Sequence, residues 1–544
     1  MTEKIRFAPL FIALLLTAVF VLCWAMGWIS LGWGLVAGAI AAVGIRDVFQ
    51  TRHAVLRSYP IIGHLRYFFE FIRPEIRQYF IESDTDSIPF SRQQRAIVYQ
   101  RAKQELDKRP FGTQLDVYHQ GYEWLNHSLN PVHVPTHDFR VMIGDKPQAK
   151  PELNHCTQPY SASVFNISAM SFGSLSANAI LSLNRGARDG GFAHDTGEGS
   201  ISKYHEEHGG DLIWEIGSGY FGCRHADGTF NEERFIANAS REQVKMIEIK
   251  LSQGAKPGHG GMLPGPKVTP EIAAAREVEP WKDVISPSSH SAFHTPIELL
   301  EFVDRLRGLS GGKPVGFKLA IGHPWEWFAI CKAMTKTGIT PDFIVVDGKE
   351  GGTGAAPAEF LDRIGTPMRE ALVLVNNTLV GLNLRDRIKI GVAGKIVTAF
   401  DIARATALGA DWCNSGRGFM FAIGCIQAQA CHTGHCPTGV STQDPERQKA
   451  LVVNDKAERV KHFHQNTLKA LAELVGAAGL GHPTQLRPHH IVVRTGEDLV
   501  QTLATVYPQM QPGELLDAEA DPAVFKRFWS MASAESFEPQ HAFS

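Results

Sequence analysis

Ile388-Lys389-Ile390-Gly391-Val392-Ala393-Gly394-Lys395 is a short apolar run that ends in glycine and a cation, and Trp412-Cys413-Asn414-Ser415-Gly416-Arg417-Gly418 repeats the design downstream. Runs of this length, bounded by small residues, read as buried strands of a parallel sheet. Back toward the N-terminus six more qualify: Val164–Met170, Gly191–His194, Leu212–Gly217, Met246–Leu251, Val315–Ala320 and Phe343–Asp347. Helical patterns separate them, so strand and helix alternate, the mark of an α/β fold. The expected class is α/β, a (β/α)8 TIM-type barrel over residues 156–443. An open doubly wound sheet shares the alternation, but no G-x-G-x-x-G follows an early strand.

In such a barrel, polar and small groups gather where strands stop, on the face where catalysis sits. Gly394 and Lys395 close the seventh strand, Gly416 and Arg417 the eighth. The loops after these strands commonly hold a phosphate, because glycine lets backbone N–H groups approach the oxygens. Arg417 adds a charge-assisted, bidentate contact. The sixth strand runs into Asp347-Gly348-Lys349-Glu350-Gly351-Gly352-Thr353-Gly354, a loop with so little bulk that backbone can lie against a flat ligand. A flavin mononucleotide suits this pattern, with its ring over the barrel mouth. Lys318, in the fifth strand, is expected to aim at that mouth and stabilise negative charge on the reduced flavin.

Beyond the eighth strand, Cys425, Cys431 and Cys436 form a C-x5-C-x4-C array that ends in Cys-Pro. Clustered thiolates with a terminal proline suit an iron–sulfur cluster better than zinc. Three local ligands fit a three-iron cluster, or a four-iron cluster with a remote or non-cysteine fourth ligand. The other five cysteines are scattered singly, which favours a reducing compartment.

The chain has 544 residues, 44% hydrophobic and 20% charged, with a formal net charge of −2. That charge gives no electrostatic case for nucleic acid as a partner. No charge interrupts Phe7–Ile45, about twice the ~20 residues that one membrane-crossing helix needs. Gly27-Trp28-Ile29-Ser30 reads as a turn between spans Phe7–Met26 and Leu31–Ile45. Gly34, Gly38 and Ala42 recur every four residues, a spacing for close helix packing. Basic residues flank both ends, so a hairpin over residues 1–48 is expected, multi-pass in the inner membrane, with the catalytic domain on the cytoplasmic side. A cleaved signal peptide has a much shorter apolar stretch.

Residues 49–155 read as a helical and irregular lead-in. It holds a helix at Arg73–Phe80 with Pro74 near its start, whose basic, aromatic face suits either a membrane surface or a packing arm. A solvated helix follows at Ser91–Lys108. Residues 444–544 read as a C-terminal packing region, with a helix over Asp444–Gly481, a strand at Ile491–Arg494 and a helix at Asp498–Val506.

Five motifs occur in one order: Ser168-Ala169-Met170-Ser171-Phe172-Gly173, Thr196-Gly197-Glu198-Gly199, Gln253-Gly254-Ala255-Lys256-Pro257-Gly258, Gly351-Gly352-Thr353-Gly354 and the cysteine array. From about Cys156 to Gln443 the chain resembles the FMN-binding synthase domain of glutamate synthase, and more closely the stand-alone FMN-binding glutamate synthase family proteins. The resemblance implies an FMN barrel with a 3Fe-4S cluster, in which 2-iminoglutarate, made from 2-oxoglutarate and ammonia, is reduced. It implies that Ala169, Met170 and Ser171 lie along the flavin, and that Gln253 and Lys318 lie near its polar edge. Gly394, Lys395, Gly416 and Arg417 would surround the phosphate, with Gly351, Gly352 and Thr353 also near the cofactor. Lys318 and Ser171 are the expected catalytic residues; Cys425, Cys431 and Cys436 are the expected ligands, relaying electrons to the flavin.

Two departures stand out. The family's Lys-Pro-Gly-Glu-Gly-Gly reads Lys256-Pro257-Gly258-His259-Gly260-Gly261 here, which removes a carboxylate that couples two sites. The glutaminase nucleophile and the glycine-repeat β-helix have no counterpart in this sequence. The expected substrates are therefore a 2-oxo acid with ammonia or an alkylamine. Electrons are expected from ferredoxin or a reductase subunit, since no dinucleotide fingerprint is present. An electron-transfer protein between a membrane carrier and a soluble partner is the alternative.

Overall fold

A computed structural model describes residues 5–85, 88–516 and 523–541. The chain divides into two compact units, residues 1–92 and 93–544.

In the first unit, helices Ala8–Ala25 and Leu31–Phe49 are joined through a turn in which Gly27 takes φ +77°. Both are long and apolar enough to cross a membrane. They pack along small residues, but not on the register expected. Gly34, Ala37, Ala41 and Gly44 are buried, whereas Ala42 is exposed and Gly38 only half-buried. Small residues three and four apart share one helix face, and a strict four-residue repeat drifts off it. After a short helix at Ala54–Ser58, the helix expected at Arg73–Phe80 also differs from expectation. It begins at Gly63, runs to Ile76 with Pro74 inside it, and continues as a π-turn over Arg77–Ile81.

The second unit is built on a closed parallel barrel of eight strands: Phe165–Ile167, His194–Asp195, Leu212–Ile216, Val244–Lys250, Val315–Leu319, Phe343–Asp347, Lys389–Ala393 and Trp412–Ser415. The eighth closes on the first, with Cys413 opposite Phe165 and Ser415 opposite Ile167. Each predicted strand has its counterpart. The second is displaced C-terminally, because Gly191, at φ +68°, is the left-handed cap of helix Ala177–Gly190. Three barrel helices start at side-chain caps: Ser176 accepts from Ala179, and Thr295 with Glu298 and Thr398 with Asp401 form capping boxes.

The C-terminal region packs on the barrel. Helix Val453–Ala477 lies against Ala177–Gly190, and Gly186 is needed there, since a Cβ would meet Val460 at 2.5 Å. Ile491–Arg494 forms the predicted strand, but it pairs with Glu123–Leu125 and with Val500–Thr502, where a helix was expected. Only Leu503–Val506 is helical there. Helix Arg92–Lys103 is not simply solvated either. Val98 and Ala102 are buried, and Tyr99 donates to the Cys425 carbonyl at 2.6 Å.

Candidate functional site

The loops at the C-terminal ends of the strands converge as the sequence suggests. Ser168 N–H donates to the Ser415 carbonyl at 3.1 Å, tying the first loop to the last. A Cβ on Gly416 would sit 3.7 Å from Met170 Sδ, so Met170 and Gly416 are neighbours, with Ala169 beside them in the chain. The Arg417 guanidinium donates to the Thr353 carbonyl at 3.1 Å and passes close to Gly352. Gly351 is fixed by its N–H to the Gly348 carbonyl at 2.9 Å. Gly394 and Lys395 turn out of the seventh strand, Lys395 in the left-handed region at φ +53°. Half-buried Gln253 follows the fourth strand, and its neighbour Gly254 donates to Asp347 at 2.9 Å.

Beside this cradle is a group of cations. Glu198 lies 3.1 Å from Lys250, with Lys256 and Arg276 also acting on it. Burial pushes its carboxyl up, but the three cations outweigh burial and hold it below the ordinary range. Gly217 and Gly261 wall it in, for a Cβ on either would come within 2.8 Å of a Glu198 oxygen. Arg276 is buried and donates to Ser171 Oγ and to the Phe172 carbonyl, both at 3.2 Å; desolvation lowers its pKa to about 10. Ser171 thus touches a cation that sequence reasoning had not assigned.

Deeper in the barrel, Lys318 is buried and pairs with Glu215, and it lies 3.2 Å from Glu248. Asp195, Glu215 and Glu248 bring carboxylate oxygens within 4.8 Å of one another around this ammonium. Burial, with the nearby Asp195 and Asp347 charges, raises the Glu248 carboxyl far above its usual range. Desolvation raises Asp195 and Asp347 too, against the pull of Lys318. The sequence carried a signal for this: Trp214-Glu215-Ile216 and Ile247-Glu248-Ile249 place a carboxylate in the middle of a buried strand.

The three array cysteines lie within electrostatic reach of one another, and Arg417 acts on Cys425. Cys425 is pushed up to about 11 by burial. Cys436 is pulled below the usual thiol value: burial opposes this, but hydrogen bonds from the backbone of Ser441, Thr438 and Val440 and from the Thr438 hydroxyl outweigh it. Lys267 donates to the Cys431 carbonyl at 2.5 Å. Backbone and hydroxyl donors on a thiolate, as at Cys436, are the surroundings an anionic metal ligand needs.

His259 bonds its own loop, Nδ1 to the Gly260 carbonyl at 2.8 Å, and packs edge-on against Phe360.

The family model for the conserved region in glutamate synthase matches residues 116–481. The glutamate synthase large subunit-like protein YerD of Bacillus subtilis is 38% identical over 84% of this chain and 92% of its own length. The archaeal glutamate synthase (NADPH) of Methanocaldococcus jannaschii is 37% identical over 59% of this chain and 60% of its own length. Among solved structures, a flavocytochrome b2 mutant with pyruvate bound aligns with 78% of this chain and 85% of its own, at 13% identity and a TM-score of 0.41.

Proposed function

The chain belongs to the glutamate synthase family, and on that footing we propose that it is a membrane-tethered iron–sulfur flavoenzyme that converts 2-oxoglutarate and ammonia, or a small amine, to glutamate or an N-substituted glutamate. The barrel of residues 156–443 is its catalytic domain and the N-terminal hairpin its tether, with the barrel on the cytoplasmic side.

One observation carries the substrate class. Lys250, Lys256 and Arg276 converge on a single carboxylate, Glu198, beside the loop that holds Ser171. Lys250 also acts on Asp195 and Asp347, which leaves Lys256 and Arg276, both buried, as the cations that the carboxylates of a 2-oxo acid would meet. The cofactor residues fit FMN: Gly352, Thr353, Gly416 and Arg417 adjoin one another, with Met170 alongside. Gly394 and Lys395 complete the phosphate cradle, and Gln253 and Lys318 serve the polar edge. When bound, FMN supplies the hydride that reduces the C=N bond. Ser171 and Arg276 would orient the substrate carboxylates, and Lys318, held in place by Glu215, would serve the polar edge of the flavin. Cys425, Cys431 and Cys436 would hold the cluster, a 3Fe-4S centre, that receives electrons from ferredoxin or a reductase subunit.

The test uses the full chain in detergent, chemically reduced and then mixed with 2-oxoglutarate plus ammonia, with 2-oxoglutarate plus methylamine, and with a quinone. Flavin reoxidation by either amine mixture, with formation of the amino acid, is expected. Reoxidation by quinone alone overturns the synthase reading in favour of electron transfer. Arg276→Gln is expected to raise the KM for 2-oxoglutarate about ten- to a hundred-fold, the worth of a charge-assisted hydrogen bond. An unchanged KM would remove Arg276 from substrate binding.

A further inference from the structure

In the N-terminal unit, helix Gly63–Ile76 and its π-turn Arg77–Ile81 leave large apolar side chains in solvent: Phe80 is 84% exposed, Ile81 71% and Phe69 58%. Leu65, Phe69, Ile72, Ile76 and Phe80 recur at three- and four-residue intervals, so they share one face. Arg66, Arg73 and Arg77 each follow a position of that stripe by one residue, and run along its edge. The three arginines, with Phe69, Ile76, Ile81 and Glu70, line a groove of about 640 Å³; Arg66 pairs with Glu70 at 3.0 Å and Arg77 lies 3.8 Å from Glu82, which leaves Arg73 and an excess of guanidinium along the rim. An apolar floor with an arginine rim matches a phospholipid, whose acyl chains meet carbon while its phosphate meets guanidinium.

The helix is also fixed in place. Asp47, buried near the end of the second apolar helix, accepts from Ile61 N–H at 3.0 Å and pairs with His64 at 2.9 Å. Gly44 admits Ile61 to the same seam, since a Cβ there would meet Ile61 Cδ1 at 2.9 Å. The chain is therefore clamped where the second apolar helix ends, and the amphipathic helix starts from that clamp. We propose that Gly63–Ile81 lies in the membrane interface, with its apolar stripe in the acyl boundary and Arg66, Arg73 and Arg77 on the phosphates of anionic lipids. This rests on the reading of Ala8–Phe49 as a membrane-spanning hairpin.

The full chain is reconstituted into nanodiscs of phosphatidylcholine alone or mixed with phosphatidylglycerol, with a benzophenone photocrosslinker at Phe69 or Phe80. Lipid adducts are expected at both positions, in several-fold higher yield on the anionic discs. The triple variant Arg66→Gln/Arg73→Gln/Arg77→Gln is expected to lose that difference. Adducts to protein alone, from this chain or a second copy, overturn the proposal. Resistance of the membrane-bound chain to carbonate extraction reports the hairpin separately. Retention without lipid adducts sinks the surface helix and leaves the tether standing, whereas extraction sinks the tether.

Discussion

Cys436→Ser protein is expected to purify without its iron and labile sulfide, and to lose the electron paramagnetic resonance signal of an oxidised three-iron cluster. The expectation rests on the donors around this sulfur. Backbone N–H groups of Ser441, Thr438 and Val440 and the Thr438 hydroxyl favour thiolate even at this buried position. A serine hydroxyl stays protonated there and is a poor partner for iron. Cys413→Ser is the matched control. Cys413 lies in the eighth barrel strand, fully buried, and burial pushes its thiol strongly upward, so it is held as a neutral core group. Full iron in Cys413→Ser with none in Cys436→Ser fits three local ligands. Loss of iron in both would make the cluster a four-ligand one, and full iron in Cys436→Ser would end the cluster assignment.

The barrel was legible in the sequence because eight apolar runs ended at small residues, and register in a sheet buried on both faces leaves little freedom. That the loops of Gly352 and Gly416 would meet was legible too, because both follow late barrel strands, and Arg417 joins them. What was not legible were contacts between distant segments. Arg276 sits in a short helix inserted after the fourth strand, and nothing local announces that its guanidinium reaches Ser171, 105 positions away. Tyr99 reads as one aromatic residue in a charged helix, yet it donates to the carbonyl of Cys425. The error at Val500–Thr502 has the same origin. Its local pattern fits a helix, and pairing with Ile491–Arg494 decides otherwise. Glu215 and Glu248 stand between, for their position in buried strands was visible but their partner Lys318 was not named from it.

That lysine carries the other large effect. Lys318→Met is expected to lower stability by about 3–5 kcal/mol, the usual result of removing one partner of a buried ion pair, because Glu215 stays buried without its cation. Lys318→Met/Glu215→Gln, which removes a charge of each sign, is expected to recover most of that loss while flavin reduction stays impaired. The cluster also sets a pH dependence. Burial raises Asp195, Glu248 and Asp347 above their unfolded values, so the folded chain keeps protons that the unfolded chain releases above a pH of about 4. More protons in the folded state mean that stability falls as pH rises, from that point through the raised folded values. Glu248→Gln takes one such group away, and its urea midpoint is expected to fall less steeply with pH than that of the unaltered chain. Lys318→Met acts in the opposite direction: without the cation that pulls Asp195 and Asp347 down, the decline extends to higher pH. Parallel midpoint profiles for all three proteins would mean that these carboxylates stay ionised, and that Lys318 is not what balances them.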